Sequence, residues 1–178
     1  MLHERGAEKT TLAGIAAAAG VPLGNVYYYF KTKDAIIAAV IETYGHTYEL
    51  MSSRLDQQPT PQARLKALIQ AWVSNGEQLT ARGCPVGSLS SELDKRDGDL
   101  RTQAAGVLAQ LVGWAQRQFE DMGRPDAREL AVALVAAYEG IALLANTLGD
   151  SSLVSTEGRR LERWIDDFAQ DGDAGRIA

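Results

Sequence analysis

A chain of 178 residues is long enough for one globular unit, or for a small module joined to a larger one. Its 46% hydrophobic and 23% charged content excludes an intrinsically disordered chain. A net charge of −5 excludes a uniformly basic nucleic-acid binder, yet residues 1–40 hold four Lys/Arg against three Asp/Glu while the remainder holds fourteen against twenty.

In chain order, Met1–Arg5 lacks the basic region and apolar run of a secretory signal. Thr11–Ala19 is the first periodic segment, with Leu12, Ile15, Ala16 and Ala19 on one helical face. Gly20-Val21-Pro22 breaks it and Leu23–Phe30 resumes a short helix. This is the spacing of a helix-turn-helix, and each special residue has a physical reason. Ala16 is small where two backbones must approach. Gly20 supplies the positive φ of the turn, and Val21 is expected to seal the corner. Val26 and Phe30 bury the second helix against the first, leaving its other side free for a major groove. Thr10 or Thr11 can cap the first helix while a hydroxyl reaches a phosphate. Tyr27, Tyr28 and Tyr29 fan across about 200° of a helix, so they cannot all face one core.

The string Gly20-Val21-Pro22-Leu23-Gly24-Asn25-Val26-Tyr27-Tyr28-Tyr29-Phe30-Lys31-Thr32-Lys33-Asp34 resembles the signature of the tetracycline-repressor (TetR) family. The lead-in Glu8–Ala16 resembles that family as well, so the match covers roughly residues 5–41. The resemblance implies an all-helical dimer whose divergent C-terminal body binds an inducer. It places Leu23, Gly24, Asn25 and Tyr28 at the family's base-facing positions, and Thr11, Tyr27, Tyr29 and Lys33 where the family grips phosphates. The chemistry agrees. Asn25 can donate to and accept from an adenine edge, and a tyrosine can pack on a thymine methyl. In two places the chain departs from the pattern. Only Met1–Arg5 stand where the family has a full first helix, and Pro22 replaces the usual Ser or Thr cap.

From Lys33 an apolar stripe through Ile36, Ile37, Val40, Ile41 and Tyr44 continues past Tyr48, Met51 and Leu55 to the linker Gln57-Gln58-Pro59-Thr60-Pro61. Leu65 to Leu79 reads as one further helix, and Gly83-Cys84-Pro85 as a turn opening a short helix through Leu93. Helices are expected over Leu100–Met122, from Pro125-Asp126 to Leu148, and around Leu161–Phe168. The expected architecture is all-α with about nine helices. It comprises an N-terminal three-helix helix-turn-helix domain over 1–41, its first helix truncated, and a helical ligand-binding and dimerisation domain over 42–178. The apolar stretch in Leu130–Leu148 is expected to be too interrupted by polar residues to span a bilayer.

Gly83-Cys84-Pro85-Val86-Gly87-Ser88-Leu89 with Glu92-Leu93 resembles a subgroup of the family's sensor domains that answers to drugs and aromatic compounds. Tyr48, Met51, Trp72, Cys84, Trp114, Phe119 and Tyr138 are candidates to line a cavity, or else to form an ordinary core. Glu139 is an acid within an apolar helix. It can meet a cationic or hydroxylated ligand, pair with an Arg, or face solvent. Cys84 can sense electrophiles or oxidants, or be a silent thiol. As the sole cysteine it cannot form an intramolecular disulfide, which fits a reducing cytoplasm. Leu130, Leu134, Ala137, Tyr138, Ile141, Ala142 and Ala145, with Leu161, Trp164, Ile165 and Phe168, are candidates for a dimer interface or for burial within one protomer.

No catalytic grouping, metal-ligand spacing or cofactor motif stands out, and the only histidines are His3 and His46. The expectation is a cytoplasmic homodimer that binds a double-stranded, palindromic DNA operator and is released by a small hydrophobic or aromatic effector, with no membrane partner. The alternative is a protein-interaction or architectural DNA-binding protein without an inducer.

Overall fold

The structure, a computed structural model, describes residues 2–94 and 98–174. Among these there is no strand. A short segment, α1 (Leu2–Lys9), is broken at Gly6, whose φ of 78° and ψ of 160° are not helical. Nine helices follow: α2 (Leu12–Ala19), α3 (Leu23–Tyr29), α4 (Lys33–Leu55), α5 (Pro61–Ser74), α6 (Gly76–Arg82), α7 (Pro85–Leu93), α8 (Asp99–Asp121), α9 (Ala127–Leu148) and α10 (Ser152–Ala174).

Local chemistry explains most boundaries. The Thr11 hydroxyl accepts from the Gly14 amide to cap α2, and Thr60 accepts from Ala63 to cap α5, with Pro61 in the first turn. Gly20 ends α2 in the left-handed region, its φ of 65° being open to glycine at no steric cost. The one helix expected from Leu65 to Leu79 is two. Asn75 leaves helical geometry (φ −96°, ψ 13°) and its side-chain amide donates to the Ala71 carbonyl at 2.9 Å. Asp126 stands at the start of α9 but its side chain does not cap the helix. Instead its carboxylate takes both donors of the Arg124 fork at 3.0 Å.

The chain divides into two compact units that do not follow a single cut in sequence: Met1–Thr47 with Pro85–Leu108, and Tyr48–Cys84 with Ala109–Ala178. In the first unit Ala16, Val26 and Ile36 form a buried cluster. Leu2, Leu12, Ile15, Phe30 and Val40 pack around it, and α7 packs on α1. In the second, α10 packs on α5 and α9, and α6 on α9. Its core includes Leu65, Leu68, Ile69, Leu111, Leu134, Leu161 and Ile165. Gly158 is why α10 sits so close to α5, since a Cβ there would lie 2.3 Å from the Val73 Cγ2.

Helix α9 is long and apolar enough to pass for a membrane span by length and composition, a test that the core helix of a soluble protein also passes. One of its faces is nevertheless part of the core of this unit. Of the stripe read as either a dimer interface or burial within one protomer, Leu134, Tyr138, Ala142 and Ala145 are buried in the protomer, as are Leu161 and Ile165 of α10. The apolar face left uncovered carries Val132, Leu143, Leu144 and Leu148.

Candidate nucleic-acid interface and effector cluster

α3 shows one face to the protein and the rest to solvent. Val26 is buried and Phe30 packs on the same cluster, whereas Leu23, Gly24 and Asn25 are exposed. Tyr28 and Tyr29 are 74% and 75% exposed, and Tyr27 is 47%. A large aromatic side chain ordinarily gains from burial. Three in a row left in water therefore mark a surface kept for another partner. The Tyr28 and Tyr29 rings meet edge to face at 5.0 Å, which holds both upright. A Cβ at Gly24 would meet nothing within 4 Å, so its bareness serves no contact inside the protein and leaves room for close approach from outside.

Pro22 precedes α3 with no side-chain cap, as its chemistry requires. The other end is tied down by Lys31, whose ammonium donates to the Tyr27 carbonyl at 2.8 Å. Lys33 donates to the Glu8 carbonyl at 3.1 Å, so the sequence-level phosphate candidate also pins the start of the chain. Of the two threonines, only Thr11 is exposed. Thr10 is buried and its hydroxyl donates to the Gly6 carbonyl at 2.7 Å, which removes it from a phosphate-facing surface. Val21 does not seal the corner either, being 39% exposed.

In the second unit the structure brings five of the eight cavity candidates together. Trp72 of α5 stacks on Tyr138 of α9 with ring centroids 4.3 Å apart. The Tyr138 phenol and the Glu139 carboxyl each share a hydrogen bond with the Cys84 thiol, and Tyr48 of α4 lies close enough to act on Tyr138 electrostatically. Burial raises the Tyr138 phenol well above its ordinary range, and the neighbouring Cys84, Tyr48 and Glu139 groups add to that. Burial also raises the Glu139 carboxyl, with the Cys84 hydrogen bond opposing it. One carboxyl oxygen of Glu139, Oε1, is buried without a hydrogen-bond partner in the protein. Solvent-facing is thus the wrong one of the three readings for this acid.

The remaining three candidates lie elsewhere or alone. The Trp114 indole donates to Asp56 at 2.9 Å, and Phe119 packs edge to face with Trp164 and Phe168, which also lies under the Arg124 guanidinium. Both rings are fully buried structural core, because each falls on the inward stripe of α8. Met51 is half-buried one turn beyond Tyr48. The pairing of Asp56 with Trp114 spans 58 residues and leaves no mark in the local sequence pattern. Nor does the approach of Glu92 to Ala7, across 85.

Residues 1–40 match the family model described as bacterial regulatory proteins, tetR family. Residues 61–159 match that of the tetracyclin repressor-like C-terminal domain. The transcriptional regulator AcuR of Cereibacter sphaeroides is 32% identical over 154 residues, covering 81% of this chain and 70% of the relative. The regulator TtgR of Pseudomonas putida is 27% identical over 177 residues, covering 92% and 82%. Among solved structures, the regulatory protein TetR from Rhodobacter sphaeroides superposes with a TM-score of 0.79 at 27% identity, over 91% of each chain.

Proposed function

Because this chain belongs to the TetR family of bacterial transcriptional regulators, we propose that it is a cytoplasmic, homodimeric repressor that a small apolar or aromatic effector releases from a palindromic operator. The observation that carries the reading is α3: Val26 holds it to the head while Leu23, Gly24, Asn25 and the three tyrosines face outward. Leu23, Gly24, Asn25 and Tyr28 read base edges. Thr11, Tyr27, Tyr29 and Lys33 meet phosphates. A two-fold dimer would present its paired recognition helices to half-sites ~34–36 Å apart or somewhat further.

The effector site in this reading is the cluster of Tyr48, Trp72, Cys84, Tyr138 and Glu139. Its aromatic faces suit an apolar body, and the unpartnered Glu139 oxygen suits a hydrogen-bond donor. α4 is one unbroken helix from Lys33 to Leu55. Ile36 and Val40 lie in the packing of the head, and Tyr48 lies ~12–18 Å further along the same rod. A ligand that displaces Tyr48 would tilt the rod and change the separation of the two recognition helices, with a coupling of about 1–3 kcal/mol.

The test is binding to the intergenic DNA upstream of the chain's own gene, with salt varied and random duplex as competitor. A specific palindrome should be preferred over random DNA by at least about 10³-fold. Asn25→Ala or Tyr28→Ala should relax base preference by about 1–3 kcal/mol, whereas Thr10→Ser should leave it unchanged. Equal affinity for palindrome and random duplex would instead favour an architectural or protein-interaction protein.

A further inference from the structure

From Thr11 to Phe30 no side chain carries a charge. This stretch holds α2, the turn and α3, the part of the head that would enter a groove. Proteins that read guanine there commonly use Arg or Lys against its O6 and N7 acceptors, and those that read cytosine can use an acid against its N4 donor. None of these groups is present in the stretch. Lys9 stands before α2. The first cations after α3, Lys31 and Lys33, each have their ammonium on a backbone carbonyl, that of Tyr27 at 2.8 Å and that of Glu8 at 3.1 Å.

What α3 offers instead is of two kinds. Asn25 is exposed and is the one side-chain amide of α2 and α3. Leu23 and Tyr28 are apolar surfaces, 40% and 74% exposed. Those two kinds of group match the two bases of an A·T pair. Adenine shows the N7 acceptor beside the N6 donor, which a carboxamide satisfies together, and thymine shows a methyl group, which an apolar contact rewards.

Their placement on the helix favours this use. At 3.6 residues per turn Tyr28 lies nearly opposite the buried Val26, with Gly24 about 40° to one side and Asn25 about 60° to the other. An asparagine is short, so it reaches a base edge only if the helix backbone comes deep into the groove. Gly24, with open space where its Cβ would be, leaves room for that depth.

We propose that the half-site beneath α3 is read as A·T pairs, by thymine methyl groups against Leu23 and Tyr28 and by an adenine edge on Asn25, with no guanine read by a side chain of that helix. The proposal rests on α3 being the DNA-reading helix and goes beyond it in naming the base pairs. All the residues it uses lie in the first compact unit.

The full-length protein, offered a duplex library randomised over the span of two half-sites, supplies the test. Selection should enrich a palindrome with A·T pairs in each half-site. Replacing single thymines of the selected duplex by deoxyuridine removes the C5 methyl and keeps the pairing. At one or more positions per half-site this should weaken binding about fourfold, the worth of one buried methyl. Leu23→Ala or Tyr28→Ala should abolish that loss at the position its side chain covers. Both side chains are exposed, so neither change removes core packing. Replacing guanines by 7-deazaguanine removes N7 and should alter affinity by less than about twofold. A half-site that suffers from 7-deazaguanine and not from deoxyuridine would overturn the proposal and leave the repressor reading standing. A·T enrichment indifferent to deoxyuridine would overturn it too, because that is the mark of groove shape rather than of contact with the methyl groups. Enrichment of no sequence at all would remove both readings.

Discussion

Glu139 sits on α9 beside the buried Val135 and Tyr138, and its Oε1 is cut off from water without gaining a partner in the protein. Burial favours the neutral acid and raises its pKa above the ordinary 4.5, the Cys84 hydrogen bond only partly offsetting this. The sign for stability follows from proton counting. Between the unfolded and folded pKa values the native state holds more protons, so this group contributes stability that is complete below about pH 4.5 and is lost as pH rises through the folded pKa. Glu139→Gln keeps the shape and removes the titration. Thermal melts from pH 4 to 8 should show the variant gaining on the wild type as pH rises. A gap in melting temperature that stays constant over that range would mean the acid is not desolvated in solution. At this scale the sequence was informative where one residue's chemistry is local: Thr11 as a cap, Gly20 as a positive-φ turn, an acid out of place at 139. It was silent where burial decides between neighbours. Thr10 and Thr11 are equivalent as letters, and only the fold turns one inward.

Helices α5 and α10 lie against each other through Gly158, and the space for that contact is set by one missing methyl group. Alanine at 158 has no backbone penalty and raises helix propensity by about 0.8–1 kcal/mol. Its Cβ, however, would fall 2.3 Å from Val73 Cγ2 and 3.7 Å from Ile69 Cγ2. Val73 is β-branched and stiff within its helix, so the overlap must be relieved by moving a helix. Gly158→Ala should therefore lower stability by about 1–3 kcal/mol, the usual cost of overpacking. In a Val73→Ala background the overlap is gone, and the same change should become neutral or stabilising. Urea unfolding of the four proteins closes this cycle, and additive effects would show that the helices do not touch there. Helix existence and most ends were legible because periodicity, caps and glycines act within one turn. The break between α5 and α6 was not, because the Leu65–Leu79 stripe continues across it and Asn75 ends α5 through its own side chain. Neither was the partner of each stripe. Trp114, Phe119 and Tyr138 all sit on inward faces, and nothing within a helix says which inward face meets a site and which meets a core.

For the whole molecule, the question is what covers the outer face of α9. Leu143 and Leu148 are 65% and 66% exposed, with Leu144 at 50% and Val132 at 47%, on a helix whose other side is already core. Val132 and Leu143 along one edge of this outer face, and Leu144 and Leu148 along the other, make an apolar surface of the kind a monomer rarely shows to water. The small residues Ala133, Ala136 and Gly140 between them allow a second helix to approach closely. A second copy of the chain, brought up on a two-fold axis, would set α9 against α9 and cover the same surface on both protomers. Leu144→Glu would place two carboxylates near that axis. Burying an unpaired charge costs more than the leucine contributed, so the variant should be monomeric in light scattering at micromolar concentration with its helical circular dichroism intact. Operator affinity should fall by about 10²-fold or more, because a monomer engages one half-site and loses the effective concentration that the linked second head provides. Binding to single half-sites should be unaffected. A Leu144→Glu protein that remained dimeric would place the interface on another face, and one that became monomeric yet held the palindrome as tightly would detach DNA reading from dimerisation.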